Sequence, residues 1–167
     1  MITAFLDRDG TINEKPEEGD YVTAPAGLRL LPGAADAVRA LNDAGVFVVV
    51  VTNQRGIALG VMSHQDLAEV HQKLQEDLRS EAGAHVDAFF YCPHDRGTCD
   101  CRKPEPGLLL RAAERFPSID LGHAVLVGDA ASDVEAGRRA GVATRLQIGV
   151  DVASLKEAAE LVLAGAL

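Results

Sequence analysis

Five short apolar runs alternate with amphipathic helical patterns along the chain, and this alternation limits the possible folds more than any other feature. Most of the runs are continuously apolar, which is typical of strands that are covered on both faces of a parallel sheet. The pattern therefore predicts a three-layer α/β domain with a Rossmann-like parallel sheet. The apolar runs occupy residues 2–6, 46–51, 86–91, 124–127 and 143–148.

Helical patterns fill the intervals between these runs. A proline–glycine pair precedes the first helix, and an S-x-x-D box formed by Ser63 and Asp66 begins the longest. The connections at residues 13–31 and 92–106 are longer than those of most compact domains. Because ligands bind beyond the carboxyl ends of the strands in open parallel sheets, both connections are expected on the ligand-binding face. The other helices are predicted at residues 34–44, 108–116, 133–140 and 155–163.

Charge and hydropathy exclude several classes of function. The 167-residue chain carries a net charge of −9, which disfavours nonspecific attraction to nucleic acid or to an anionic membrane. No apolar run is long enough to span a bilayer, and the first segment lacks the basic start of a signal peptide. We therefore expect a single domain over residues 1–167 that acts as a cytoplasmic monomer on a small molecule, without nucleic-acid or membrane partners.

Two aspartates, Asp7 and Asp9, follow the first apolar run in the stretch DRDGTIN. Two negative charges this close are destabilising unless a cation or a shared proton relieves them. If the chain remains extended, both carboxylates point in one direction and Arg8 points in the other. A calcium-binding loop is disfavoured because that motif needs glycine where this chain has Ile12. The pair therefore indicates a metal site, acid–base chemistry or both.

Polar residues also follow later elements of the predicted sheet. Thr52 and Asn53 end the second strand, Lys103 precedes a helix, and Asp129 follows the fourth strand. Each signal is weak by itself, because a polar residue at a strand end is often only a turn or a helix cap. Since the carboxyl ends of parallel strands meet at one edge of a sheet, these side chains are expected to converge with Asp7.

All three cysteines lie within ten residues, close to a histidine, in the Cys–His loop (residues 92–101). Three thiolates and one imidazole suit a closed tetrahedral zinc site, whereas an odd number of closely spaced cysteines argues against a disulfide framework. Free buried thiols beside an exposed histidine are the alternative. A zinc ion here would be structural, and it would fix the chain that leads into Arg102 and Lys103. The predicted ligands are Cys92, His94, Cys99 and Cys101.

Taken in order, the motifs DRDGT, Thr52, Lys103 and GDAASD resemble those of haloacid-dehalogenase-superfamily phosphatases over nearly the whole chain. The resemblance implies that Asp7 is a nucleophile that forms an aspartyl phosphate and that Asp9 is the general acid and base. It also implies a Mg²⁺ ion held by Asp7, Asp129 and the backbone carbonyl of Asp9.

The same resemblance assigns supporting roles around the phosphoryl group. Thr52 and Lys103 would hold its oxygens, so that stabilisation is mostly electrostatic. Asp133, four residues after Asp129, would support the metal site without being a ligand.

The Cys–His loop narrows the resemblance to two groups. The pattern C-P-H…C-D-C-R-K-P, with DRDGTIN and VTNQ, is similar to D-glycero-D-manno-heptose 1,7-bisphosphate 7-phosphatases and to histidinol-phosphate phosphatases, both of which lack a cap domain. The spacing agrees with a capless fold, because Thr52 lies only 45 residues after Asp7, and Lys103 lies 51 residues after Thr52. The resemblance assigns substrate recognition to Gly19, Asp20, Tyr21, Asn53 and Arg102.

Two positions depart from the pattern of these groups. Arg55 replaces a residue that is usually small, and it is a further candidate for substrate binding because it follows Thr52 and Asn53. Ala130 stands where a lysine, serine or arginine is common. Both departures affect the expected substrate rather than the reaction.

The two groups predict different substrates, and the sequence contains features that suit each. Arg102 and Arg55 suit the second phosphate of a heptose bisphosphate, whereas Glu17, Glu18 and Asp20 suit the cationic groups of histidinol phosphate. We favour the bisphosphate; histidinol phosphate or another small sugar phosphate is the alternative. A phosphoryl-accepting signalling domain is a non-enzyme alternative, but the acid–base role of Asp9 disfavours a long-lived acyl phosphate. A purely structural zinc protein would leave the other motifs without a role.

Overall fold

A five-stranded sheet, parallel throughout, forms the centre of the computed structural model, which describes residues 1–165. The spatial order is β3-β2-β1-β4-β5, so the first strand lies in the middle. This arrangement confirms the parallel α/β sheet predicted from the continuous apolar runs. The strands are β1 (Thr3–Leu6), β2 (Phe47–Asn53), β3 (Ala88–Cys92), β4 (Val125–Gly128) and β5 (Thr144–Gln147).

Residues 1–165 contain five α-helices, of which four connect successive strands and the fifth follows β5. The ends that were predicted lie within two residues of the observed ones. The predicted capping box is present: the Asp66 N–H donates to Ser63 Oγ at 3.0 Å, and the Asp66 carboxylate accepts from the Ser63 N–H at 2.8 Å. The helices are α1 (Ala34–Asp43), α2 (His64–Ala82), α3 (Gly107–Arg115), α4 (Ala131–Ala140) and α5 (Leu155–Leu163).

The helices form two layers, one on each face of the sheet. Successive residues of β1 show the division: Leu6 packs in the cluster that contains residues of α1, α2 and α5, whereas Phe5 packs in the cluster of α3 and α4. Both side chains are fully buried, which explains why this central strand carries no polar alternation. Among residues 1–165, no helix combines the length and the hydrophobicity that crossing a bilayer requires.

The chain bends immediately after β1, so it does not meet the condition of staying extended to Asp9, under which both carboxylates would point in one direction. The Asp7 N–H still donates to the Val127 carbonyl at 2.9 Å, but the Arg8 carbonyl then accepts from the N–H groups of Thr11 and Ile12. This tight turn reverses the backbone above the central strand. The strand alternation that predicted parallel carboxylates therefore ends at Asp7.

Candidate active site

A polar cleft of about 330 Å³ opens at the carboxyl edge of the sheet. It lies where β1, β2 and β4 end, as the spacing of the sequence motifs predicted. Arg55 does not line it within the described part of the chain, whereas Arg96, which the sequence did not single out, does. The predicted residues that line the cleft are Asp7, Asp9, Gly19, Asp20, Tyr21, Thr52, Asn53, Arg102, Lys103, Asp129 and Asp133.

Three carboxylates form the floor of the cleft. Asp7, Asp129 and Asp133 each place an oxygen within 4.8 Å of the others. Two lysines partly offset the negative charge: Lys15 Nζ lies 2.8 Å from Asp129 Oδ2, and Lys103 Nζ lies 2.7 Å from Asp7 Oδ1 and 2.5 Å from Asp133 Oδ1. Carboxylate oxygens in such a group are the ligands that Mg²⁺ prefers. The donor set therefore fits a magnesium ion.

Burial perturbs both members of the Asp7–Lys103 pair. Burial raises the pKa of Asp7 to about 8, with a further contribution from Asp133, although the attraction of Lys103 opposes this shift. Burial alone would lower the pKa of Lys103, but the carboxylates of Asp7 and Asp133 raise it above its usual range. Lys103 is therefore a permanent cation. A divalent cation at the floor of the cleft would favour the ionised form of Asp7.

Replacing Lys15 with methionine is expected to tighten Mg²⁺ binding about two- to fivefold, because the ammonium group competes for Asp129. The Lys15 side chain is 59% exposed, so solvent limits the effect. Isothermal titration calorimetry of the metal-free protein with MgCl₂ at low ionic strength measures the affinity for Mg²⁺. Lys156→Met, an exposed change on α5 with the same effect on net charge, is the control. Equal affinities in all three proteins would contradict this competition.

The carboxylate of Asp9 lies outside the acidic group and is held by hydrogen bonds. Its Oδ1 accepts from Arg8 Nε at 3.0 Å, from Arg8 Nη2 at 2.8 Å and from Asn13 Nδ2 at 2.9 Å. Among residues 1–165, its Oδ2 has only a long contact of 3.4 Å with Gln54 Nε2. Arg8 was expected to point away from the carboxylates, but its long side chain returns to Asp9. Asn13 and Gln54 were not identified from the sequence.

Gly10 makes the close approach of two strand ends possible. It has φ +85°, and a Cβ atom there would lie 2.4 Å from Asp129 Oδ2. Any other residue would be strained in this conformation and would collide with the carboxylate. The glycine of DRDG thus allows Asp129 to approach the turn after β1.

Asn53 fixes the backbone of Lys103 to the end of β2. The Lys103 N–H donates to Asn53 Oδ1 at 3.0 Å, and Asn53 Nδ2 donates to the Lys103 carbonyl at 3.1 Å. Lys103 Nζ also donates to the Val51 carbonyl at 2.8 Å, and Gln54 Nε2 donates to Thr52 Oγ1 at 3.0 Å. The three bonds made by Lys103 direct it from the long loop after the edge strand to the centre of the sheet. A structural role of Asn53 was not visible in the sequence.

The four donors of the Cys–His loop form one compact group. Cys92 Sγ lies 3.6 Å from Cys99 Sγ and 3.5 Å from His94 Nδ1, which lies 3.2 Å from Cys101 Sγ. A tetrahedral zinc ion with Zn–S bonds of about 2.3 Å places two sulfur atoms about 3.8 Å apart. Burial raises the pKa of Cys92 to about 12, and a bound zinc ion would stabilise its thiolate. The donor set therefore fits a structural zinc ion.

Two arginines near the cleft have different surroundings. The Nε of Arg55 lies 2.6 Å from Asp95 Oδ1, so this side chain is paired with the Cys–His loop. Arg102 lines the cleft, and its Nη1 is buried without a hydrogen-bond partner among residues 1–165. A buried donor without a partner is costly, and an anionic ligand would satisfy it. Arg102 is therefore the better placed of the two for a ligand, and the substrate role of Arg55 stays a prediction.

Known proteins resemble the chain over most of its length. The family model of haloacid dehalogenase-like hydrolases matches residues 2–141. The D-glycero-beta-D-manno-heptose-1,7-bisphosphate 7-phosphatase of Rhodopseudomonas palustris is 41% identical over 147 residues, which cover 83% of this chain and 79% of that protein. The D-glycero-alpha-D-manno-heptose-1,7-bisphosphate 7-phosphatase of Mycobacterium bovis is 43% identical over 150 residues, with coverage of 87% and 78%.

A solved structure extends the similarity to the whole fold. The crystal structure of D,D-heptose 1,7-bisphosphate phosphatase from B. bronchiseptica, complexed with magnesium and phosphate, superposes with a TM-score of 0.86 at 30% identity. The match covers 99% of each chain. The sequence motifs, the sheet order and these relatives agree, and the chain belongs to the haloacid dehalogenase-like hydrolase family.

Proposed function

We propose that this chain is a Mg²⁺-dependent phosphatase that removes the 7-phosphate of D-glycero-D-manno-heptose 1,7-bisphosphate through an aspartyl phosphate on Asp7. The observation that carries the proposal is the pairing of Asp7 with the buried cation Lys103, at 2.7 Å, on the floor of a cleft that Asp9 also lines. The names of the relatives support the substrate.

In the first step, a carboxylate oxygen of Asp7 attacks phosphorus, and the bond from phosphorus to the sugar oxygen breaks. Asp9 gives its proton to the departing oxygen. Lys103 and Thr52 hold the phosphoryl oxygens and stabilise the charge that they carry. When bound, Mg²⁺ offsets the negative charges of the phosphoryl group and the carboxylates.

In the second step, Asp9 takes a proton from water, and the resulting hydroxide oxygen attacks the phosphorus of the aspartyl phosphate. The bond from phosphorus to Asp7 breaks, which releases inorganic phosphate and restores both side chains. The hydrogen bonds at Asp9 suit this role, because three of them occupy Oδ1 and leave Oδ2 as the oxygen that exchanges the proton.

We further propose that residues 1–167 work as one capless domain and as a cytoplasmic monomer. Lys15 to Tyr21 of the acidic loop (residues 14–21) and the segment around Arg102 wall the cleft, where other proteins of this kind would use a cap. A structural zinc ion in the Cys–His loop would hold the segment around Arg102 in place. Asp133 would support the metal site through Lys103 and through the Ala130 N–H, from which its carboxylate accepts at 3.1 Å.

Replacing Arg102 with alanine is expected to lower kcat/KM for heptose 1,7-bisphosphate about 30- to 100-fold, because a charge-assisted hydrogen bond to the second phosphate is lost. The loss on heptose 7-phosphate, which lacks that phosphate, should stay below about threefold. Phosphate release from both substrates measures the difference. Arg39→Ala is the control, because Arg39 pairs with Asp43 on α1 and lies outside the cleft walls. Equal losses on the two substrates would contradict this role of Arg102.

Histidinol phosphate is the second candidate, and the acidic loop is the observation that favours it. Glu17, Glu18 and Asp20 line the cleft and would attract an ammonium group. All three are exposed, so solvent screens them, whereas Arg102 has a buried donor with no partner in the part of the chain that the structure describes. Faster hydrolysis of histidinol phosphate than of heptose 1,7-bisphosphate by the unmodified protein would reverse the assignment.

A further inference from the structure

A buried row of side chains extends behind Asp9 into the core. Arg8 is fully buried, and the two nitrogens that contact Asp9 Oδ1 leave its Nη1 directed at His71 Nε2, 3.2 Å away. His71 belongs to α2 and is only 7% exposed. Its ring stacks on Phe89 of β3, with centroids 4.4 Å apart and planes 17° apart. The row therefore links the site to the packed interface between α2 and the sheet.

The chemistry of the Arg8–His71 contact fixes the state of the imidazole. A guanidinium group only donates hydrogen bonds, so His71 Nε2 must accept, and the neutral ring carries its proton on Nδ1. Burial, reinforced by the positive charge of Arg8, lowers the pKa of His71 to about 3. The ring therefore stays a neutral acceptor across the physiological pH range. Without it, one N–H of Arg8 would lose its acceptor in the core.

We propose that His71 is a positioning residue for phosphoryl transfer: it orients the guanidinium of Arg8 against Asp9 Oδ1, so that Asp9 Oδ2 faces the departing oxygen. The inference rests on the proposed acid–base role of Asp9. Its geometric basis is the asymmetry of the carboxylate: within the described part of the chain, Oδ1 accepts three hydrogen bonds of 3.0 Å or less, whereas Oδ2 has one contact of 3.4 Å. Rotation of an unrestrained Arg8 would remove two of those three bonds.

A comparison of leaving groups isolates this role from a general effect on folding. The first step of an alkyl phosphate releases a strongly basic alkoxide, which needs the proton of Asp9, whereas p-nitrophenyl phosphate releases a weakly basic phenolate that does not. The kcat/KM value includes binding and this first step but not the hydrolysis of the aspartyl phosphate. A defect in proton delivery therefore lowers kcat/KM for the alkyl substrate selectively.

In the test, His71→Phe keeps a ring on Phe89 but removes the acceptor for Arg8. We expect kcat/KM for heptose 1,7-bisphosphate to fall about tenfold or more, through kcat rather than KM, and the value for p-nitrophenyl phosphate to fall less than about threefold. His71→Gln, whose amide oxygen can reach the place of Nε2, should recover most of the loss. His123→Phe, an exposed change far from this row in the sequence, is the control and should match the unmodified protein.

Equal losses on the two substrates, no loss on either, or a failure of His71→Gln to recover activity would overturn the inference. If His71→Phe folds too poorly to assay, His71→Leu replaces it as the variant without an acceptor, with the same expected selectivity. The proposed function fails in a different way, because the unmodified protein would then release little or no phosphate from heptose 1,7-bisphosphate, whatever the His71 variants do.

Discussion

Asp7→Asn is expected to abolish phosphate release, lowering kcat by at least about 10⁴-fold, because the amide oxygen cannot replace the attacking carboxylate. The fold should survive the change. Lys103 keeps its contacts with Asp133 Oδ1 and the Val51 carbonyl, and repulsion from Asp129 and Asp133 decreases. Single-turnover phosphate release measures the chemistry, and the thermal midpoint of unfolding without Mg²⁺, expected to be unchanged or higher, measures the stability.

Asp36→Asn provides the matched control for this substitution. Asp36 is exposed in the first turn of α1 and lies outside the cleft walls, so the same chemical change there should leave kcat unaltered. Activity close to that of the unmodified protein in Asp7→Asn would refute the aspartyl-phosphate mechanism.

Loss of a zinc ligand is expected to lower both stability and activity. Cys99→Ser removes one of the four donors and the sulfur that accepts from the Arg102 N–H at 3.4 Å. A metal present at about 1,000 times its Kd stabilises a fold by about 4 kcal/mol. Its loss from a domain of this size should lower Tm by roughly 8–16 °C. Activity should fall with it, because Lys103 follows the Cys–His loop directly.

Metal analysis and calorimetry test the zinc site together. The unmodified protein should carry about one zinc ion per chain after Mg²⁺ is washed out, and Cys99→Ser should carry much less. Asp100→Asn is the control, because Asp100 lies between two of the ligands yet its side chain is 80% exposed. Full activity and an unchanged Tm in zinc-free protein would exclude this structural role.

The sheet could be predicted well from the sequence, because each strand and helix is specified by residues that are close together in the chain. Continuous apolar runs, glycines and the Ser63 capping box each specify an element from a few neighbouring residues. The bend at Arg8 was left open, because the common direction of the two carboxylates was predicted only on the condition that the chain stays extended to Asp9. Hydrogen bonds to the Arg8 carbonyl, which only the folded turn shows, end that extended conformation.

The supporting residues of the site were not predictable, because their partners are distant in sequence. His71 follows Val70 on an apolar helix face, and nothing nearby distinguishes it from a core residue; its partner Arg8 is 63 residues away. Arg55 was expected at the cleft from its place after β2, but the position of Asp95, 40 residues later, decides where its guanidinium lies. The positions of the strand ends predicted which side chains meet at the cleft. Which side chains form hydrogen bonds or ion pairs with one another depends on the tertiary structure.

The floor and the walls of the cleft are built from different structural elements, and this difference affects how the substrate specificity of the protein can evolve. Asp7, Thr52 and Asp129 come from strand ends that the sheet holds in register, and Asn53 ties Lys103 to one of them. The walls come from irregular segments that contribute no strand to the sheet. Substitutions confined to the acidic loop, which does not carry Lys103, can therefore alter which molecule is accepted while the bond-breaking machinery keeps its geometry. Evolution and protein engineering can accordingly vary substrate choice and reaction chemistry independently here.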